Sequence, residues 1–208
     1  METLLETVDQ LKKCEVEALI KTRINEFSDI KQGSINDIFK ELCFCIMTAN
    51  CGAEKCIEIH EKIDKEFLNL TQPQLAERFK DLGYRFPNAR SEFIVDARKK
   101  IKNLNKAIKL NNDEFELREW LVKNIKGIGY KEGSHFLRNI GYKNLAIVDF
   151  HILDLLVQHE LIKKPKVLTK KIYLDIENLL KRIAEELNLN LAELDLYLWY
   201  LETGKILK

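Results

Sequence analysis

Three observations predict an all-α fold. Apolar residues recur at helical spacing along nearly all of the 208-residue chain. No pair of alternating segments around a tight turn reads as a strand hairpin. Glycine and proline number only 8 and 3, and Gly83, Pro87, Pro165 and Gly204 fall where periodic stretches stop or start. About ten helices joined by short loops are expected, as one large domain or two small subdomains sharing an interface.

The first stretch, METLLETVDQLKKCEVEAL, is amphipathic and acidic, unlike a secretion signal. No apolar run approaches the length of a membrane span, about 18 residues. A cytoplasmic protein is therefore expected. The next apolar stretch carries Cys43, Cys45 and Cys51 and leads into Met47-Thr48-Ala49-Asn50. Five cysteines, an odd number, argue against a disulfide framework. The set contains no C-x-x-C and no histidine at zinc spacing, so these thiols are read as small buried hydrophobes. Thr71 and Pro73 open a helix, and Asp113 with Glu116 forms a capping-box pattern for a later one. Beyond Pro165, Ile172, Ile176, Leu179, Leu180, Ile183 and Leu187 share one helical face, and Leu191, Leu194, Leu198 and Leu201 mark a last helix before Gly204.

The most informative stretch runs from 125 to 151, IKGIGYKEGSHFLRNIGYKNLAIVDFH. One helix ends over Glu119–Asn124 and another spans Lys131–Asn139, with Lys126-Gly127-Ile128-Gly129 turning between them. Glycines let two helices turn tightly and bring backbone close to a partner. The N–H groups from Ile128 to Lys131 can then gather at a helix start, a natural phosphate site, with Lys123 and Lys126 adding charge. A tight αα-corner without a ligand would look similar if the glycines stood alone. Net charge is +1, from 34 Lys+Arg and 33 Asp+Glu, so a nucleic acid must be held by a local patch of this kind. Lys131 falls in the first turn of its helix, where the macrodipole disfavours a positive charge. Asp149 follows Ala146-Ile147-Val148 and stands where an aspartate would cap a helix starting at Phe150. His151 reads as a packing or hydrogen-bonding residue.

The full pattern, apolar-Lys-Gly-Ile-Gly-x-Lys-x-Gly followed by Ile-Val-Asp-x-His, resembles the helix-hairpin-helix DNA glycosylases. The resemblance implies two helical subdomains, 34–145 with the hairpin at 119–140 and 1–33 plus 146–208, with an active-site cleft between them. It implies Lys131 as the nucleophile that attacks the sugar C1′ of a flipped nucleotide, and Asp149 as the carboxylate that stabilises the developing charge. A lysine at this position marks members that also cut the strand. No C-x6-C-x2-C-x5-C array follows the hairpin, so the iron–sulfur branches are set aside.

A short, cluster-free chain of this kind is similar to the archaeal second family of 8-oxoguanine glycosylase/lyases. Gly83-Tyr84-Arg85-Phe86-Pro87-Asn88-Ala89-Arg90 and the tail from Trp199 to Gly204-Lys205-Ile206-Leu207-Lys208 agree with that. Phe86 and Trp199 are candidates to sandwich the flipped purine, against a plain packing role. Lys208 is implied in telling 8-oxoguanine from guanine. Asn50 either contacts the base left without a partner or merely ends a helix. Arg85 and Arg90 either touch phosphate or are ordinary surface arginines. A monomer acting on duplex DNA that contains 8-oxoguanine is expected, with no cofactor beyond a monovalent cation at the hairpin. Two alternatives stand beside it: a related enzyme for another oxidised base, and a hairpin module that only binds duplex DNA.

Overall fold

A computed structural model describes residues 2–111 and 113–208. Among the described residues it holds twelve α-helices and no strand: α1 (Glu2–Leu11), α2 (Glu15–Gln32), α3 (Ile35–Thr48), α4 (Ala53–Ile63), α5 (Gln72–Asp81), α6 (Pro87–Lys99), α7 (Ile101–Leu110), α8 (Glu114–Asn124), α9 (Tyr130–Asn139), α10 (Phe150–Gln158), α11 (Lys170–Glu186) and α12 (Leu191–Thr203). A short 3₁₀ turn follows α4. Two of the breaks between helices are announced by no glycine or proline. One lies between α1 and α2 at Lys12–Cys14, the other between α6 and α7 at Lys100.

The helices bury two apolar clusters. The first is built around α3, whose Ile38, Phe39, Leu42, Cys43, Phe44, Cys45, Ile46 and Met47 are all buried. Its second half, residues 41–48, is buried on every side and so belongs inside a shell of other helices; α4, α6, α7 and α9 pack against it. The second cluster joins Leu4, Val8 and residues of α2 to Ala146, Val148 and the apolar faces of α10, α11 and α12. Cys43, Cys45 and Cys56 are buried free thiols. Cys51 differs from the expectation: α3 stops at Thr48, so Cys51 sits half-buried in the turn beyond it.

Caps fix several helix starts. Ser34 and Asp37 form a reciprocal capping box on α3, as do Thr71 with Gln74 on α5 and Asn190 with Glu193 on α12; each cap stabilises its helix by about 1 kcal/mol. The box expected at Asp113 and Glu116 does not form. Asp113 instead accepts from Phe115 N at 2.8 Å, two residues on, which is enough to cap α8.

A buried polar seam joins the clusters. Arg118 of α8 donates to both oxygens of Glu177 on α11, at 2.6 and 2.8 Å, and to Ser134 Oγ on α9 at 3.0 Å. Glu177 also accepts from Ala146 N at 2.9 Å. Tyr173 Oη donates to Ala146 O at 2.7 Å and accepts from Val148 N at 3.3 Å. The extended stretch before α10 is thus held by α11, and that stretch carries Asp149.

Candidate active site

The hairpin docks on α6. Gly127 has φ +85°, and a Cβ there would stand 2.4 Å from Phe93 Cδ2. Only glycine fits both the left-handed backbone and the ring against it. Lys126 pairs with Glu92 of the same helix, and its ammonium lies 5.1 Å from the Phe93 ring centre. Ile128 is buried in the first cluster, and its N–H donates to Ile125 O at 3.3 Å, which closes the turn. The N–H groups of Gly129, Tyr130 and Lys131 make no hydrogen bond among the described residues, as expected of a helix start.

Beside this turn lies a cavity of about 590 Å³. Lys131 and Asp149, from the starts of α9 and α10, both line it. Lys131 Nζ is 3.7 Å from Glu132 Oε1, too far for a hydrogen bond, and its side chain is 26% exposed, so the amine is sheltered yet reachable. Asp149 Oδ1 caps α10 by accepting from Ile152 N at 3.0 Å, while Oδ2 has no hydrogen bond among the described residues. Capping and a second role are therefore compatible: one oxygen fixes the carboxylate and the other is left for chemistry.

His135, Arg138 and Asp195 also line the cavity. His135 and Arg138 stand four and seven residues past Lys131, on the same face of α9. Burial, then the Arg138 and Lys131 charges, push the His135 imidazole well below its usual range, so it stays neutral. Its Nδ1 is buried without a partner, as is Nε1 of Trp199, another lining residue. Orphaned buried polar atoms are rare, and these two sit on side chains that line the cavity, where a ligand would meet them. Asp195 of α12 is paired with Arg138. Burial, with Asp149 adding to it, raises the Asp195 carboxyl to about 6, while Arg138 opposes the shift.

The aromatic residues divide differently from the expectation. Trp199 lines the cavity, with His151 edge-on to it at 4.7 Å between ring centres. Phe86 is not among the lining residues. Its ring packs on the first cluster, with the Arg85 and Arg90 guanidinium groups 5.0 and 5.4 Å from its centre. The aromatic on the cavity wall is instead Phe150, 65% exposed and stacked on His151 at 3.9 Å. Its exposure beside Asp149 comes from the packing of α10 and could not be read from adjacency in the sequence.

Asn50 lines the cavity with φ 61°, a left-handed conformation that asparagine tolerates. Its loop is set by Arg90 Nη2, which donates to Ala49 O at 2.9 Å, and by Tyr84 Oη, which donates to Met47 O at 2.6 Å. Arg90 is thus a structural group in this arrangement, while Arg85 reaches the cavity. Leu207 and Lys208 complete the wall.

A helical fold with a glycine hairpin beside a lysine and aspartate cavity defines a helix-hairpin-helix DNA glycosylase. The family model described as 8-oxoguanine DNA glycosylase matches residues 20–189, and the chain belongs to that family. It is 50% identical over 206 residues to an 8-oxoguanine DNA glycosylase/AP lyase of Methanocaldococcus jannaschii, covering 99% of each chain. It is 43% identical over 208 residues to one from Thermotoga maritima, covering 99% of each. The crystal structure of the M. jannaschii 8-oxoguanine glycosylase/lyase in complex with a 15mer DNA containing 8-oxoguanine superposes with a TM-score of 0.96 at 49% identity, over 99% of this chain and 100% of that one. The T. maritima enzyme gives 0.93 at 43% identity, over 100% and 99%.

Proposed function

We propose that this chain excises 8-oxoguanine from duplex DNA and then cuts the strand at the resulting site. The observation that carries this reading is the meeting of Lys131 and Asp149, from two different helix starts, on one cavity of purine-accommodating size. The family membership and the names borne by its relatives support the substrate.

In this reading the damaged nucleotide is extruded from the stack into the cavity. The neutral amine of Lys131 attacks C1′ as the N-glycosidic bond breaks, and the base departs with the bonding electron pair. Asp149 offsets the positive charge that develops on the sugar and takes part in moving the amine's proton. Opening of the sugar ring leaves a C1′ imine on Lys131. Loss of a C2′ proton then expels the 3′ phosphate, which is β-elimination. Phe150 and Trp199 offer aromatic faces to the extruded base, and Asn50 stands ready for the base left behind. The hairpin N–H groups of Gly129 to Lys131 hold the phosphate backbone. The segments 34–145 and 1–33 with 146–208 act as the two walls of the cleft. A single chain supplies every group named, so the enzyme works as a monomer on chromosomal DNA in the cytoplasm. The chemistry calls for no cofactor; a monovalent cation on hairpin carbonyls would assist only the backbone grip.

The test is borohydride trapping on duplexes carrying 8-oxoguanine, an oxidised pyrimidine or no lesion. A covalent adduct on the 8-oxoguanine duplex, lost in Lys131→Gln while duplex binding persists, is expected. Trapping on the pyrimidine lesion alone would transfer the reading to a different base, and no trapping at all would leave only a binding module.

A further inference from the structure

Strand cutting requires a base that takes the C2′ proton. Lys131 cannot serve, because its nitrogen is bonded to C1′ at that stage. Glu132 is the next residue of α9, and it lines the same cavity with its side chain 15% exposed. Its carboxylate spans the gap between the amine and the hairpin. Oε1 is 3.7 Å from Lys131 Nζ, and Oε2 is 3.2 Å from the place where a Cβ on Gly129 would stand. A glutamate third in its helix often reaches back to the cap N–H, but Glu132 does not form that bond. Among the described residues it makes no hydrogen bond at all. A sheltered carboxylate without a donor is costly, and this one has no capping or packing task to offset the cost.

The distances suit a proton transfer. With Nζ joined to C1′, a C–N bond of about 1.3 Å and a C–C bond of about 1.5 Å put C2′ about 2.5 Å from Nζ. An oxygen 3.7 Å from Nζ then comes within about 3 Å of C2′ when the sugar is turned toward it. The sugar atoms from C1′ to the backbone held by the hairpin run past this carboxylate. Among the described residues no other carboxylate oxygen, those of Asp149 included, lies within 4.0 Å of Nζ. His135 stands one turn, about 6 Å, further along α9.

We propose that Glu132 is a second catalytic carboxylate, the base that takes the C2′ proton in β-elimination, while Asp149 serves excision. The inference rests on the reading of the cavity as the site where Lys131 forms its imine. Glu132 Oε1 removes the proton from C2′ of the protonated imine. The C–H electron pair becomes a C1′=C2′ bond, and the C=N π pair moves onto nitrogen. Return of that pair restores the C=N bond, forms C2′=C3′ and expels the 3′ phosphate with the C3′–O electrons. Water then hydrolyses the imine and frees Lys131, and Glu132 passes its proton to solvent.

The test compares wild type, Glu132→Gln and Glu132→Ala in single-turnover assays on 8-oxoguanine duplex, reading released base, borohydride-trapped adduct and cut strand. Loss of a general base slows its step by roughly 100-fold or more. Both variants should cut the strand that much more slowly, release base within about threefold of wild type, and accumulate trapped adduct. Formate, a carboxylate small enough to occupy the space left by the side chain, should restore cutting in Glu132→Ala and leave Glu132→Gln unchanged. Cutting within about threefold of wild type would overturn the assignment. So would an equal fall in base release and cutting, or a loss of adduct in step with cut strand, since either places the defect before the imine. Should Glu132→Ala fail to fold, the near-isosteric Glu132→Gln decides alone. Wild-type protein that forms no adduct would remove the cavity reading and this base together, whereas wild type that traps and cuts beside unaffected variants removes the base alone.

Discussion

Replacing Gly127 with alanine puts a specific strain on the hairpin turn proposed to hold the DNA backbone. The residue sits at φ +85°, where an L side chain costs about 1–2 kcal/mol. The added methyl would lie 2.4 Å from Phe93 Cδ2 and 3.0 Å from Cε2, well inside the contact distance of about 3.5–4.0 Å. Phe93 has little freedom to yield, because its ring packs on the first cluster with Arg90 5.4 Å and Lys126 5.1 Å from its centre. Overpacking of this kind costs about 1–3 kcal/mol. The sum is about 2–5 kcal/mol, shared between global stability and displacement of the hairpin from α6.

Urea unfolding reads the first share. Anisotropy with a duplex carrying an uncleavable abasic-site analogue, titrated with salt, reads the second. Wild-type binding should weaken steeply as salt rises, because phosphate contacts release counterions, and Gly127→Ala should bind more weakly with a shallower slope. Pairing it with Phe93→Ala separates the two causes. The double variant should recover the steric part, a coupling of about 1–3 kcal/mol, and retain the cost of the positive φ. A Gly127→Ala protein that loses less than about 0.5 kcal/mol and keeps wild-type salt dependence would refute both the turn geometry and its role in docking.

Glu177→Ala should destabilise the fold by about 3–5 kcal/mol in urea, because it strands the buried Arg118 charge and frees Ala146 N; a loss under 1 kcal/mol would show that water replaces the carboxylate. Phe150→Ala and Trp199→Ala should each weaken binding to 8-oxoguanine duplex by about 1–3 kcal/mol, with a much smaller effect on abasic duplex, and equal losses on both DNAs would mean that neither ring meets the base. Stability should fall as pH drops below 6.5. His60 and His135 are protonated in the unfolded chain below that value, whereas burial holds the folded His60 down to about 4 and His135 well below 6.5. Asp195 acts with the opposite sign. Its folded value of about 6 lies above the unfolded 3.8, so the folded state binds the extra proton and gains stability as pH falls through that window. Two histidines against one carboxylate leave a net loss, and His60→Gln should flatten it in thermal melts between pH 7 and 4.

The helices, the hairpin turn and the cap at Asp149 are legible in the sequence because each rests on short-range rules, whereas the meeting of Lys131 and Asp149 on one cavity is implied only by the resemblance. Periodicity marks a helix, a Gly-x-Gly marks a turn, and an aspartate before an apolar run marks a cap. His135 and Arg138 were within reach of the same rules, since they follow Lys131 at four and seven residues. Asp195 and Trp199 likewise stand four apart on α12. The break between α1 and α2 was not legible, because Lys12-Lys13-Cys14 contains no residue that stops a helix on propensity alone. Phe86 and Phe150 show the corresponding limit for side chains. Both are aromatic residues at the start of a helix, yet the first is half-buried against the first cluster while the second stands exposed on the cavity wall.

What local rules could not supply is the placement of Asp149. The four residues before it form neither helix nor strand, so no ladder of backbone bonds sets its position. Their polar groups must find partners elsewhere once Leu145 to Val148 are buried. Glu177 and Tyr173 on α11 supply them, binding Ala146 N, Ala146 O and Val148 N. Glu177 is held in turn by Arg118, and Arg118 by Ser134, one turn along α9 from Lys131. The helix that carries Lys131 and the approach to Asp149 are therefore braced by one buried cluster. That bracing explains why a charged pair is retained between two apolar clusters. Its loss should move Asp149 relative to Lys131 before it unfolds either helix, so partial variants such as Tyr173→Phe should lower the rate of Schiff-base trapping by a larger factor than their stability cost alone would produce.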